Sequence, residues 1–144
     1  VAGPLIRVWP KGEAVLPFWP QEVDVEILDS RLRWQGYDLT WPTPHTGKVA
    51  RVRLWWKTLT PLGADYKVSA RLLDAAGAQI TQTDDVPVHN TYPTHTWLAG
   101  ELVLDGYDLV LPKEAPPPPY RLLVILYDPA TGAEVGRHEV GLIV

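Results

Sequence analysis

Alternation with a period of two is the dominant pattern in this chain. From Asp65 to Leu72 the even positions, Tyr66, Val68, Ala70 and Leu72, are apolar or aromatic, and the odd ones, Asp65, Lys67, Ser69 and Arg71, are polar. Successive side chains of a strand point to opposite faces, so this register predicts a strand with one wet face. Val23, Val25 and Ile27 alternate with Asp24 and Glu26 in the same way. Between Val49 and Leu59, Val52, Leu54 and Trp56 share one face and Arg51, Arg53 and Lys57 the other, with Trp55 breaking the pattern on the polar side. Leu122 to Tyr127 is apolar at every position and too short for an ordinary helix, which predicts a central strand covered on both faces.

Turn chemistry separates these runs. Asp74-Ala75-Ala76-Gly77 and Asp128-Pro129-Ala130-Thr131-Gly132 predict hairpins, the first leading to a strand near Ala78 to Thr83 and the second to one near Glu134 to Val144. Further strands are expected at Leu5 to Trp9, Ala14 to Phe18, Leu32 to Leu39 and Leu102 to Leu111, about nine or ten in all. The expected fold is all-β, an antiparallel β-sandwich of immunoglobulin-like or jelly-roll-like type. Residues 23–144 read as one sandwich domain, and residues 1–22, with Pro4, Pro10, Pro17 and Pro20, as a Pro-rich linker or edge strand. Gly36-Tyr37-Asp38-Leu39 recurs as Gly106-Tyr107-Asp108-Leu109, and in the same register Arg51 to Leu54 aligns with Arg121 to Val124. This echo has two readings: two strand pairs occupying equivalent places in two halves of the chain, or similar strands converging on similar sequences.

Composition sharpens the picture. A length of 144 residues suits one compact domain, and 46% hydrophobic with 21% charged residues is far from the signature of disorder. The 15 prolines exclude long helices almost everywhere, and with no Cys there is no disulfide, thiol nucleophile or thiolate metal site. The absence of Met implies that the chain has been processed or excised from something longer. A net charge of −4 with scattered basic residues argues against nucleic acid as a partner. No apolar run approaches the roughly 20 residues of a membrane-spanning helix, so this segment is expected to be soluble, with no membrane insertion of its own.

Catalytic chemistry finds little support. Ser30 and Ser69 are the only serines and neither sits in a Gly-x-Ser-x-Gly elbow. Paired carboxylates of the glycosidase kind meet only in the fold and leave no spacing signature. The most informative segment runs from Thr83 to Trp97, where Asp84, Asp85, His89 and His95 are all capable metal ligands. Their spacing matches no metal motif, and the competing reading is an ordered loop in which Asp85 and Thr94 bond the backbone, Pro93 fixes a turn and Trp97 anchors in the core. Exposed aromatics would instead stack on sugar rings, with Trp55, Tyr92 and Trp97 the first candidates and Trp34 and Trp41 behind them. The candidate binding residues are therefore Asp85, His89, Tyr92, His95, Trp97 and Trp55, and none of the patterns calls for a cofactor.

Tyr92 to Pro112, with its Pro93-Thr94-x-x-Trp97-x-x-Gly100-Glu101 core, resembles a known pattern. It looks like the soluble β-sandwich domain at the C-terminal end of bacterial multi-spanning membrane glycosyltransferases similar to dolichyl-phosphate-mannose mannosyltransferases and aminoarabinose transferases. Gly36 to Leu39, Leu54-Trp55-Trp56, Asp65-Tyr66, Leu72-Leu73-Asp74 with Gly77, Asp85 with Pro87, and Tyr120-Arg121-Leu122 with Leu126-Tyr127-Asp128 extend the match over about residues 23 to 144. Pro118-Pro119 departs from it, since the pattern has Gly before the Tyr, and the N-terminal segment falls outside it. The resemblance implies a non-catalytic accessory domain on the extracytoplasmic face of a bacterial membrane protein, in contact with glycan or with the membrane portion of its own parent. The alternatives are a structural or protein-interaction sandwich with no small ligand, and a metal-dependent hydrolase.

Overall fold

A computed structural model describes residues 7–9, 21–40, 49–87 and 92–143. Nine strands occur among them: β1 (Arg7–Trp9), β2 (Gln21–Leu28), β3 (Leu32–Thr40), β4 (Val49–Thr58), β5 (Lys67–Leu73), β6 (Gln79–Asp85), β7 (Leu102–Val110), β8 (Tyr120–Tyr127) and β9 (Glu134–Ile143). They form two antiparallel sheets, one in the order β1-β7-β4-β3-β2 and the other β6-β5-β8-β9. The expected all-β sandwich is the fold observed. The strand expected at Ala14 to Phe18, with Trp41 and His89, lies outside the described residues. β1 pairs along β7, and Gln21 and Glu22 already belong to β2.

The alternating positions supply the core. On β4, Ala50, Val52, Leu54 and Trp56 are fully buried and point inward, while Arg51 and Arg53 face out and pair with Asp108 and Asp38. Across the interface β5 contributes Val68, Ala70 and Leu72, and β8 contributes Leu122, Val124 and Leu126. Trp34 packs on Trp56 and Tyr37 with ring centroids 6.1 and 6.2 Å apart. β8 is an interior strand, and its outward Leu123 and Ile125 form a second small cluster with Leu73, which is why every position of that run is apolar.

Both hairpins form as their turn residues require. Asp74 Oδ1 accepts from the amides of Ala76 and Ala78, and Gly77 takes a φ of 92°. Asp128 Oδ1 accepts from Ala130, and Gly132 closes the turn at φ 76°. These left-handed conformations favour glycine.

The internal echo takes the second of its two readings, convergence of similar strands. β3 and β4 are neighbours in one sheet, but their counterparts β7 and β8 lie in different sheets, so the two halves are not equivalent. Instead β3 and β7 flank β4 on its two sides. Tyr37 pairs with Leu54 and Tyr107 with Val52, while Asp38 pairs with Arg53 and Asp108 with Arg51. The repeated Gly-Tyr-Asp-Leu is thus one solution used twice: an inward Tyr for the core and an outward Asp for an arginine of β4.

Candidate functional site

The segment leading to β7 is built as a lock. Thr94, 1% exposed, donates its hydroxyl to the carbonyl of Ala64 at 2.6 Å and accepts from the amide of Tyr66 at 2.9 Å, fixing the loop to the lead-in of β5. Residues Thr94–Thr96 make a 3-10 turn closed on the carbonyl of Pro93 by the Thr96 amide and hydroxyl. Trp97 is buried at 1% exposure, stacks on the Tyr92 ring at 5.8 Å, and donates its indole N–H to the Tyr92 carbonyl. Glu101 accepts from the Tyr92 hydroxyl at 2.7 and 2.9 Å and from the Leu98 amide at 2.6 Å. Gly100, at φ 85°, donates its amide to Thr58, whose own amide reaches the Glu101 carbonyl. Each residue of the Pro-Thr-x-x-Trp-x-x-Gly-Glu core therefore has an architectural partner.

The candidate ligands do not converge. Asp84 and Asp85 are adjacent on β6 and point to opposite faces, as neighbours on a strand must. Asp84 is held outside by Ser69, Gln82 and Tyr127, while Asp85 accepts from the Val86 amide at 2.8 Å. His95 is exposed and pairs through Nδ1 with Asp65 at 2.6 Å, and that hydrogen bond holds the Asp65 carboxyl below its usual range. Among the described residues no three His, Cys, Asp or Glu side chains group to hold a metal.

The aromatic candidates are placed differently from the exposed platforms expected. Trp97 is core, the role assigned to it by the ordered-loop reading. Trp55, on the outer face of its sheet, is only 5% exposed, with the Arg53 guanidinium 5.6 Å above its ring and Gly36 and Leu104 as strand neighbours. Tyr92 is half-buried, and desolvation, followed by its bond to Glu101, pushes its pKa well above the usual tyrosine range.

One buried polar group escaped the sequence reading. Asp105 lies fully inside the sandwich, accepting from the Tyr107 hydroxyl at 2.6 Å, the Gly106 amide at 2.9 Å and the Trp56 indole at 3.4 Å. The signal was its parity: Asp105 falls in the inward series Val103, Tyr107, Leu109. Burial first, then the Asp105 charge, raises the Tyr107 pKa well above normal.

The opposite side of the sandwich is open. β2 and β9 are the terminal strands of the two sheets there. They meet at Gly136, where a Cβ would overlap the Ile27 carbonyl oxygen, so only glycine allows the contact. Toward Gln21 the strands part around a cleft of about 350 Å³ lined by residues 21–23 of β2, Tyr37 of β3 and residues 138–141 of β9. A β-bulge between Glu22 and Val25, with Asp24 at φ 56°, bends β2 beside it, the kind of distortion that re-aims edge side chains. His138 sits edge-on to Trp34 at 5.9 Å, and burial raises the Tyr37 pKa, keeping its phenol a neutral donor and acceptor. The side chains of Gln21, Glu22 and His138 and the Tyr37 hydroxyl have no hydrogen-bond partner among the described residues. Gln21 and Glu22 are exposed and His138 half-buried, so these polar groups are open to solvent and free to meet a ligand.

No protein-family model and no curated protein matches the chain. Among solved structures, a β-glucuronidase from glycoside hydrolase family 2 is similar over 74% of this chain, with a TM-score of 0.50 and 11% sequence identity. The matched region is 11% of that enzyme's chain. At such identity the likeness concerns the fold alone, and it agrees with the class the strands define: an antiparallel β-sandwich domain. No helix among the described residues is long and apolar enough to cross a membrane.

Proposed function

We propose that this chain is a non-catalytic accessory β-sandwich domain of a larger glycan-handling protein, and that it holds a sugar in the cleft between β2 and β9. The observation that carries the reading is the cleft's lining. Sugars offer hydroxyls that both donate and accept, together with apolar C–H faces. The Tyr37 phenol, Gln21 amide and His138 imidazole supply both kinds of partner, and Val23 and Val140 supply apolar wall. The volume of about 350 Å³ falls at the small end of the roughly 300–1,000 Å³ of ligand pockets, the size for one ring or a short chain end.

The accessory role is supported by the lock geometry of residues 92–101, which turns the most distinctive motif into scaffold, and by the resemblance of that motif to a domain appended to membrane glycosyltransferases. That resemblance supplies the proposed setting, the extracytoplasmic face of a bacterial membrane, beside the spanning portion of the parent. The reading as a packing module predicts a contiguous exposed apolar patch. The large apolar side chains exposed among the described residues are Leu98 and Val110, and they argue less than the cleft does.

Titration of methyl glycosides into the ¹⁵N-labelled chain tests the proposal. Binding weaker than about 1 mM is expected for so small and open a site, with amide shifts confined to Gln21–Val23 and His138–Gly141. Gln21→Ala with Tyr37→Phe removes them. Shifts mapping to Tyr92–Trp97 or absent for every sugar overturn it.

A further inference from the structure

We infer that the chain pairs with a second copy of itself along β6, strand to strand and antiparallel. The edge of a sheet offers unpaired amides and carbonyls to any other strand, and proteins that stay single blunt their edges by shortness, charge, bulges or a covering element. Among the described residues the two sheets end on β1, β2, β6 and β9. β1 has three residues. β2 carries Glu22, Asp24 and Glu26, shifts register twice against β3, and bends at Asp24 with φ 56°. β9 carries Glu134, Arg137 and Glu139, shifts register twice against β8, and is met by β2 at Gly136. Residues 81–85 of β6 differ from all of these. They pair with residues 68–72 of β5 without a shift, none of them is buried, and no Pro or Lys interrupts them. The irregularity of β6, opposite Leu72 and Leu73, lies before this run.

The charges at one end of β6 select the partner and its direction. Laid antiparallel on a second β6 about Thr83, the run matches itself end to end: Gln82 faces the partner's Asp84, Thr81 faces the partner's Asp85, and Thr83 faces the partner's Thr83. Each acid then meets a side chain able to donate a hydrogen bond, and Thr opposite Thr is a favourable cross-strand pair. In a parallel pairing Asp84 and Asp85 would each face their own copies, and like charges directly opposite are destabilising. Parity is kept as well. Gln82 and Asp84 share the outer face with their β5 neighbours Arg71 and Ser69, while Thr81 and Thr83 stand beside the buried Leu72 and Ala70. A two-fold axis through Thr83, the usual symmetry of dimers, thus joins the two four-stranded sheets into one with their core sides aligned. Since β9 ends each half, the two β2/β9 clefts lie at opposite ends of the joined sheet.

Sedimentation of the chain over a wide range of concentration, with ¹⁵N amide spectra at each step, tests the pairing. A contact along one short strand belongs to the weak class of interfaces, so a dimer with a dissociation constant on the order of 100 µM is expected, with the amide shifts on dilution confined to β6. Gln82→Asp sets a carboxylate against the partner's Asp84 while gaining Arg71 as its cross-strand neighbour within the chain; it should keep the fold and weaken the dimer about tenfold. Gln82→Lys should tighten the dimer about threefold, and both effects shrink in high salt. A chain that stays monomeric up to about 1 mM, dilution shifts that map to other strands, or a dimer indifferent to both Gln82 substitutions overturns the inference. None of these outcomes bears on sugar binding, which is read at β2 and β9.

Discussion

The two sides of the sandwich treat the same side-chain chemistry in opposite ways. On the β6–β7 side, where Thr83 bonds the Asp108 carbonyl across the sheets, Glu101 and Asp105 are buried and answered by tyrosine hydroxyls, an indole and backbone amides. On the β2–β9 side, Gln21, Tyr37 and His138 line an open cleft with no such answer among the described residues. Residue type therefore does not separate scaffold from site here; the satisfaction of polar groups from within does. Among the described residues, Tyr92, Trp97, Glu101 and Asp105 are all bonded from within.

The strongest way to break this contrast is to disturb the seam that shapes the open side. Gly136→Val places a side chain into the Ile27 carbonyl and must pry β2 from β9, with an expected loss of about 2–3 kcal/mol in urea unfolding. Gly141, with nothing within 4 Å of a built Cβ, is the control; Gly141→Ala should stay within about 0.5 kcal/mol. Equal effects at the two positions would mean that the seam does not hold the edges together.

Next in size is a direct comparison of two glutamates. Glu101→Ala leaves the Leu98 amide and the Tyr92 hydroxyl without their acceptor in a site 6% exposed, which should lower stability by about 1–3 kcal/mol. Glu22→Ala, on the exposed lip of the cleft, should change it by less than about 0.5 kcal/mol. A stability loss at Glu22 matching that at Glu101 would make the cleft residues scaffold as well.

The sequence carried the strands better than the site, for a physical reason. Period-two alternation and Asp/Gly turn chemistry are local, so β4, β5, β8 and both hairpins were legible from Val52, Leu54 and Trp56, from Leu122 to Tyr127, and from Gly77 and Gly132. Sheet order is non-local, and the echo of Gly36-Tyr37 in Gly106-Tyr107 could not decide it, because two strands flanking one neighbour face the same demands as two halves of a duplication. The cleft joins Gln21 to His138, residues brought together only by the folding of one edge strand onto another. Trp97 and Tyr92 drew attention by their chemistry, but burial decides their role, and burial of a loop aromatic leaves no periodic trace. Asp105 was detectable in principle as an acid in apolar register.

Alkaline pH probes the locked side more gently. Tyr92 and Tyr107 have raised pKa values, from desolvation first and from Glu101 and Asp105 next. The unfolded chain releases these protons near about pH 10, while the folded protein still holds them. Their contribution to stability is thus fully present below pH of about 10 and declines as pH rises beyond it. Urea midpoints measured between pH 8 and 11.5 should fall steeply above the unfolded tyrosine value, and Tyr92→Phe should flatten part of that fall. An unchanged slope would place the Tyr92 hydroxyl outside the network.

The smallest effect tests the locked side where it falls short of its own rule. Thr58 is fully buried, and its amide and carbonyl serve Glu101 and Gly100, yet its hydroxyl has no partner among the described residues. Valine has the same branched shape without the polar atom. If polar satisfaction is what holds this side together, Thr58→Val should stabilise the chain by up to about 1 kcal/mol, because it removes a desolvated hydroxyl and breaks no bond. Destabilisation by a similar amount would mean that the hydroxyl is answered by a buried water bridging it to the Glu101 loop, and a lock closed through water is one that a ligand could open.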